Sequence, residues 1–111
     1  MPHASIRGAL PLSEIWNKFE PTGDVDGSAV LQLESAFLRK DHGQLLILAL
    51  AIENGVSQRF FIVIGNKGDQ TIVRCQQHHA PQKTRGVKTL LNRVVKLLTD
   101  EGAEVEQSNL D

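Results

Sequence analysis

The sequence predicts an α+β fold: a short N-terminal helix, a four-stranded antiparallel meander and a long amphipathic C-terminal helix, in the order α-β-β-β-β-α. Three observations predict it. Two apolar runs, Leu45 to Ile52 (LLILALAI) and Arg59 to Ile64 (RFFIVI), are separated by a turn containing Asn54-Gly55. Asn-Gly favours a two-residue type I′ hairpin, because both central residues of that turn need positive φ. Val87, Leu90, Leu91, Val94, Val95 and Leu98 recur at the spacing of one helix face. The connections between the strand-like segments are also short, whereas parallel pairing needs crossovers of about a dozen residues or more.

In chain order, residues 1–9 are small and polar and are expected to be frayed. Leu12, Ile15, Trp16 and Phe19 then mark one stripe of a short helix, and Pro21 stops it. Ser13 is an awkward cap because it lies inside the stripe. An aromatic on such a stripe reads as core, so Trp16 is expected to pack rather than stack on a ligand. Pro21 to Ser28 (PTGDVDGS) has the composition of a loop. Its Asp24-x-Asp26-Gly27 echoes the start of a calcium loop, but the required twelfth-position glutamate is replaced by Ser35, which leaves a turn.

Ala29 to Arg39 alternates, with Leu31, Leu33 and Phe37 assigned to one side and Gln32 and Glu34 to the other, as in a half-buried outer strand. Lys40 to Gly43 turns the chain into the central hairpin. If Asn54-Gly55 is the loop, Glu53 pairs with Val56, Leu50 with Arg59, Leu48 with Phe61 and Ile47 with Ile62. One face then carries Leu45, Ile47, Ala49, Phe60, Ile62 and Ile64, and the other carries Leu46, Leu48, Leu50, Phe61 and Val63. Both faces are apolar, so both need cover. Gly65 to Asp69 makes a second turn, and Thr71 to Gln77 supplies the fourth strand. Thr84 is the expected N-cap of the C-terminal helix, which ends near Gly102. The acidic tail from Ala103 to Asp111 is expected to fray.

The totals fit one soluble domain over residues 1–111: the chain is 41% hydrophobic and 23% charged. No apolar run is long enough to span a bilayer, and residues 1–11 lack the pattern of a signal peptide. A single cysteine, Cys75, excludes an intramolecular disulfide, so the cytoplasm is the expected location and no membrane is implied.

Charge is unevenly distributed. From Lys67 to Lys96 seven Lys/Arg oppose only Asp69, a local net of +6 in a chain whose net charge is −1. The polar side of the C-terminal helix is basic, and Lys83, Arg85, Lys88, Arg93 and Lys96 form a candidate anion-binding set. Lys83, Arg85 and Lys88 lie at the helix N-terminus, and Asp100 and Glu101 at its C-terminus. Both ends oppose the macrodipole, at roughly 0.3–1 kcal/mol per group. Free backbone N–H groups beside cations suit phosphate or carboxylate. The plainer reading is a solvated basic face neutralised by the acidic loop or tail. Nucleic acid is a possible partner by charge, yet no aromatic interleaves the basic stretch and the chain has no tyrosine.

Cys75, His78 and His79 suggest a metal or nucleophilic site until spacing is applied. On an extended strand Cys75 and His79 are about 13 Å apart, and Cys75 and His78 point to opposite faces. No metal or other cofactor is expected. Arg59 and Glu34 can pair across strands, and Glu53, beside the hairpin turn, is expected to be exposed.

If both helices lie on one face, the other exposes an apolar patch of a kind monomers rarely leave open. The leading expectation is therefore a non-catalytic protein-interaction module, homodimeric through one sheet face. Leu46, Leu48, Phe61 and Val63, or the opposite set, would form the interface, and a different protein partner is also possible. The alternative is an anion- or nucleic-acid-binding module on the basic helix. An enzyme with a pocket between helix and sheet is a minor third reading.

Overall fold

A computed structural model describes residues 2–100 and 102–110, apart from the side chain of Asp26. It contains seven strands and two helices: β1 (His3–Arg7), α1 (Leu12–Lys18), β2 (Thr22–Asp26), β3 (Ala29–Leu38), β4 (Gln44–Glu53), β5 (Val56–Lys67), β6 (Gln70–Cys75), α2 (Arg85–Thr99) and β7 (Val105–Ser108). All the strands belong to one antiparallel sheet, in the order β2-β3-β4-β5-β6-β1-β7.

The expected four-stranded α-β-β-β-β-α layout is therefore wrong, because it omits three strands. His3–Arg7 and Val105–Ser108, expected to fray, pair with each other, and β1 also pairs with β6. Ala4 and Ile6 alternate inward from β1 and are fully buried. Thr22–Asp26, read as loop, is an edge strand joined to β3 by Gly27-Ser28, with Gly27 at φ 63°. Glu101 and Asp111 lie outside the described residues.

The central hairpin has the predicted register, from Leu45↔Ile64 to Glu53↔Val56. Asn54 and Gly55 have φ 52° and 78°, as a type I′ turn demands. Leu45, Ile47, Ala49, Ile62 and Ile64 are fully buried, in one core with Leu12 and Ile15 of α1 and with Val87, Leu90, Leu91 and Val94 of α2. Both helices thus pack on the same side of the sheet. Leu46, Leu48, Leu50 and Phe61 point to the opposite side and stay partly exposed. No described element of the chain covers that side.

A bulge corrects the reading of β3. Leu33 pairs with Ala49 and Ser35 with Leu48, leaving Glu34 as the extra residue. One inserted residue reverses the side-chain phase beyond it. Ala36 and Leu38 therefore turn towards the core, while Phe37 leaves the side of Leu31 and Leu33 and is 50% exposed on the open face. There its ring meets Phe61 edge-on, with centroids 6.3 Å apart.

Trp16 is a second correction. It is 43% exposed rather than buried, and its indole N–H donates to the Ala36 carbonyl at 3.1 Å. A helix of about two turns buries Leu12 and Ile15, and the adjacent Trp16 covers the flank of β3 instead.

Candidate functional site

The N-terminus of α2 is the place where the basic residues of the sequence invite an anion. Thr84 caps it as expected, its Oγ1 accepting from the Val87 N–H at 3.2 Å. The anion that the backbone attracts is supplied from within the chain. Glu53, at the end of β4, accepts from the Thr84 hydroxyl at 2.5 Å and from the Gly86 N–H at 2.9 Å. A carboxylate at this pole offsets the unfavourable cations around it. Glu53 is thus half-buried and structural, contrary to the expectation of exposure. Gly86 makes room for it: a Cβ there would stand 2.6 Å from the Glu53 carboxyl carbon.

The other cations of the predicted set do not converge on one point. Lys83 and Arg85 are exposed around the helix start, and Lys96 is exposed near its far end. Arg93 is held by Asp24 of β2, with Nη2 donating at 2.7 and 2.9 Å to the two carboxylate oxygens. Arg93, Lys96, Asp24 and Asp100 share a shallow cleft of about 400 Å³ between α2 and the β2–β3 edge. Glu20 adds a third acid against two cations, and one of those cations, Arg93, is already paired with Asp24. This cleft is where the minor enzyme reading would place a pocket. Lys88 lies by the chain's C-terminal segment, in a cleft it shares with Arg85, Thr89 and Asn92.

The predicted interface residues do come together. Leu46 pairs with Val63 and Leu48 with Phe61 on the open face, so the four form one contiguous block. Sequence reasoning missed Phe37, Val30, Ile52 and Val25, which extend the block across β3 to β2 through the pairs Phe37↔Leu46, Val30↔Ile52 and Val25↔Val30. Phe37 and Val25 are the most exposed of these, at 50% and 69%. At the margin, Arg59 donates to Glu34 from Nε at 3.2 Å and from Nη2 at 3.0 Å, the cross-strand pair anticipated above.

Cys75 is buried at the end of β6, and burial pushes its thiol up to about 11. At neutral pH it is a small apolar side chain, not a nucleophile. His78 and His79 stack edge to face in the exposed turn beyond it, with centroids 4.2 Å apart. Among the described residues no group of three or more His, Cys, Asp or Glu is placed to hold a metal ion. Alkylation of Cys75 by iodoacetamide at pH 8 is expected to be at least about 100-fold slower in the native protein than in urea. Equal rates, read by mass spectrometry, would show that the end of β6 opens freely.

No helix among the described residues is long and apolar enough to cross a membrane. No protein-family model, curated protein or solved structure matches the chain.

Proposed function

We propose that the chain is a non-catalytic protein-interaction module that pairs with a second copy of itself through the open sheet face. The observation that carries this reading is the placement of both helices on one side of a sheet whose central strands are apolar on both sides. Burying Leu46, Leu48, Leu50, Ile52, Phe61 and Phe37 against a like surface removes their apolar area from water, at roughly 25 cal/mol per Å². The apolar block runs over β2 to β5, four strands that span about 14 Å at about 4.8 Å spacing. A two-fold pairing of sheet on sheet is self-complementary and closes at a dimer.

A cytoplasmic location is part of the same proposal, supported by a single cysteine that is free and buried. The second reading, an anion-binding module on Lys83, Arg85, Lys88, Arg93 and Lys96, is weaker. Glu53 sits at the helix pole and Asp24 holds Arg93.

Phe61→Glu is the test. The wild-type chain is expected to run as a dimer in sedimentation or light scattering at micromolar concentration. The variant, still folded by circular dichroism, is expected to run as a monomer, with at least about 100-fold weaker association. A wild-type monomer, or a folded variant with unchanged mass, would overturn the reading.

A further inference from the structure

The open face is not apolar throughout. Towards β6, at the end where the β3–β4 and β5–β6 turns lie, it becomes a cationic cleft of about 550 Å³. Its cations are Arg39 from the β3–β4 turn, Lys67 at the end of β5 and Arg74 of β6. Asp41 neutralises Arg39, with the guanidinium Nε donating to Oδ1 at 2.7 Å. Neither Lys67 nor Arg74 has an acidic partner among the described residues. Arg74 is the unusual one. It is only partly exposed, it stands across from Val63 on one side and His3 on the other, and its charge is not compensated. A partly desolvated cation without a counter-charge costs stability unless something else supplies the charge.

The remaining lining says what that something is. Gln44 adds an amide at the rim, the Gln70 amide Nε2 donates to Glu106 Oε1 at 3.5 Å, and Val63 and Ile72 give an apolar floor. Gly65 leaves that floor low: a Cβ there would meet only the Gly43 carbonyl, at 3.9 Å, so a side chain would fit.

We propose that this cleft binds a phosphate monoester of nucleotide size. Two uncompensated cations match the −1.5 to −2 charge of a monoester at neutral pH (roughly, by the second ionisation near pH 6), and a single carboxylate would leave one unmatched. Guanidinium presents planar paired donors suited to phosphate oxygens. The volume is several times what a phosphate group needs and falls in the ordinary range of small-molecule sites, about 300–1,000 Å³. The apolar floor takes the flat body of the ligand. This site is separate from the basic face of α2 and adjoins the proposed pairing surface only at Val63, so it goes beyond the pairing reading and does not depend on it.

The experiment is titration with adenosine monophosphate and with inorganic phosphate, followed by calorimetry or NMR shifts, on wild type and four variants. Wild type is expected to bind the nucleotide below about 1 mM and phosphate more weakly. Arg74→Gln and Lys67→Gln should each weaken both by at least tenfold. Gly65→Val should weaken the nucleotide and spare phosphate, because it fills the floor without touching the charges. Lys96→Gln, on α2, should change neither. Lys67 is exposed at a strand end, so Lys67→Gln carries the test if Arg74→Gln fails to fold. Absence of nucleotide binding at 10 mM, or an equal loss from Lys96→Gln, would overturn the proposal.

Discussion

Thr71→Val is expected to destabilise the protein by about 3 kcal/mol, more than most single substitutions do. Thr71 is fully buried, and its hydroxyl makes three hydrogen bonds. It donates to the Gly8 carbonyl at 2.8 Å and accepts from the Leu10 N–H and the Asn66 side-chain amide, each at 3.0 Å. These bonds tie the link between β1 and α1 to the start of β6. Valine has nearly the same shape, so packing is preserved and the loss isolates the polar groups. The Leu10 N–H and the Gly8 carbonyl would be left without Thr71 beside a core that admits little water, at roughly 1–3 kcal/mol each before relaxation. Thr71→Ser should retain most of the stability. Urea unfolding measures both. A valine variant within about 1 kcal/mol of wild type would mean that water reaches these groups and that the link is not anchored here.

The second large effect is a reversal of sign. Glu53→Ala removes the carboxylate at the start of α2 and is expected to cost about 2 kcal/mol, since the lost hydrogen bonds involve a charged acceptor. Gly86→Ala should also destabilise, by about 1 kcal/mol. The new Cβ displaces the Glu53 carboxyl, which is 2.6 Å away, and this outweighs the better helix propensity of alanine. In the Glu53→Ala background the obstacle is gone. There Gly86→Ala should stabilise, by up to about 1 kcal/mol. Thermal unfolding of the four proteins closes the cycle. Additive effects would show that Glu53 and Gly86 do not meet as described.

The central hairpin was legible because its signal is local: Asn54-Gly55 fixes the turn, and the turn fixes ten cross-strand pairs. The same holds for α2, whose apolar stripe and Thr84 cap lie within one stretch of chain. The missed strands have little of their own to show. In β1 only Ala4 and Ile6 face the core, and β7 is exposed along its whole length. Their strand character comes from partners far away in sequence, such as Ala4 with Val73 and with Ser108. Gly27-Ser28 was a usable hairpin signal for β2, masked by the calcium-like spacing of Asp24 and Asp26.

At the candidate sites the division is similar. The alternation of the hairpin gave Leu46, Leu48, Phe61 and Val63 a common face. Phe37 was assigned to the wrong side because nothing in the alternation marks the inserted Glu34. The basic helix was visible as charge, but its counter-charges, Glu53 and Asp24, arrive from strands 33 and 69 residues away. The cleft around Arg74 has no sequence signature, since its cations come from one turn and two strands.

The position of β1 between β6 and β7 also orders the events of folding. Strands β2 to β6 follow one another through short turns, so each can pair as soon as its neighbour exists. The first strand of the chain has no partner until β6 has formed, and the last has none until β1 has docked. Closing loops of that length is slow, which places the chain among the millisecond-to-second folders rather than the fast helical ones. During synthesis the β1 segment must wait until Gln70–Cys75 has been made. Once β6 has paired with β5 and until β1 docks, the free edge of β6 is available to the β1 segment of a neighbouring copy, so exchange of this strand is an error the topology allows.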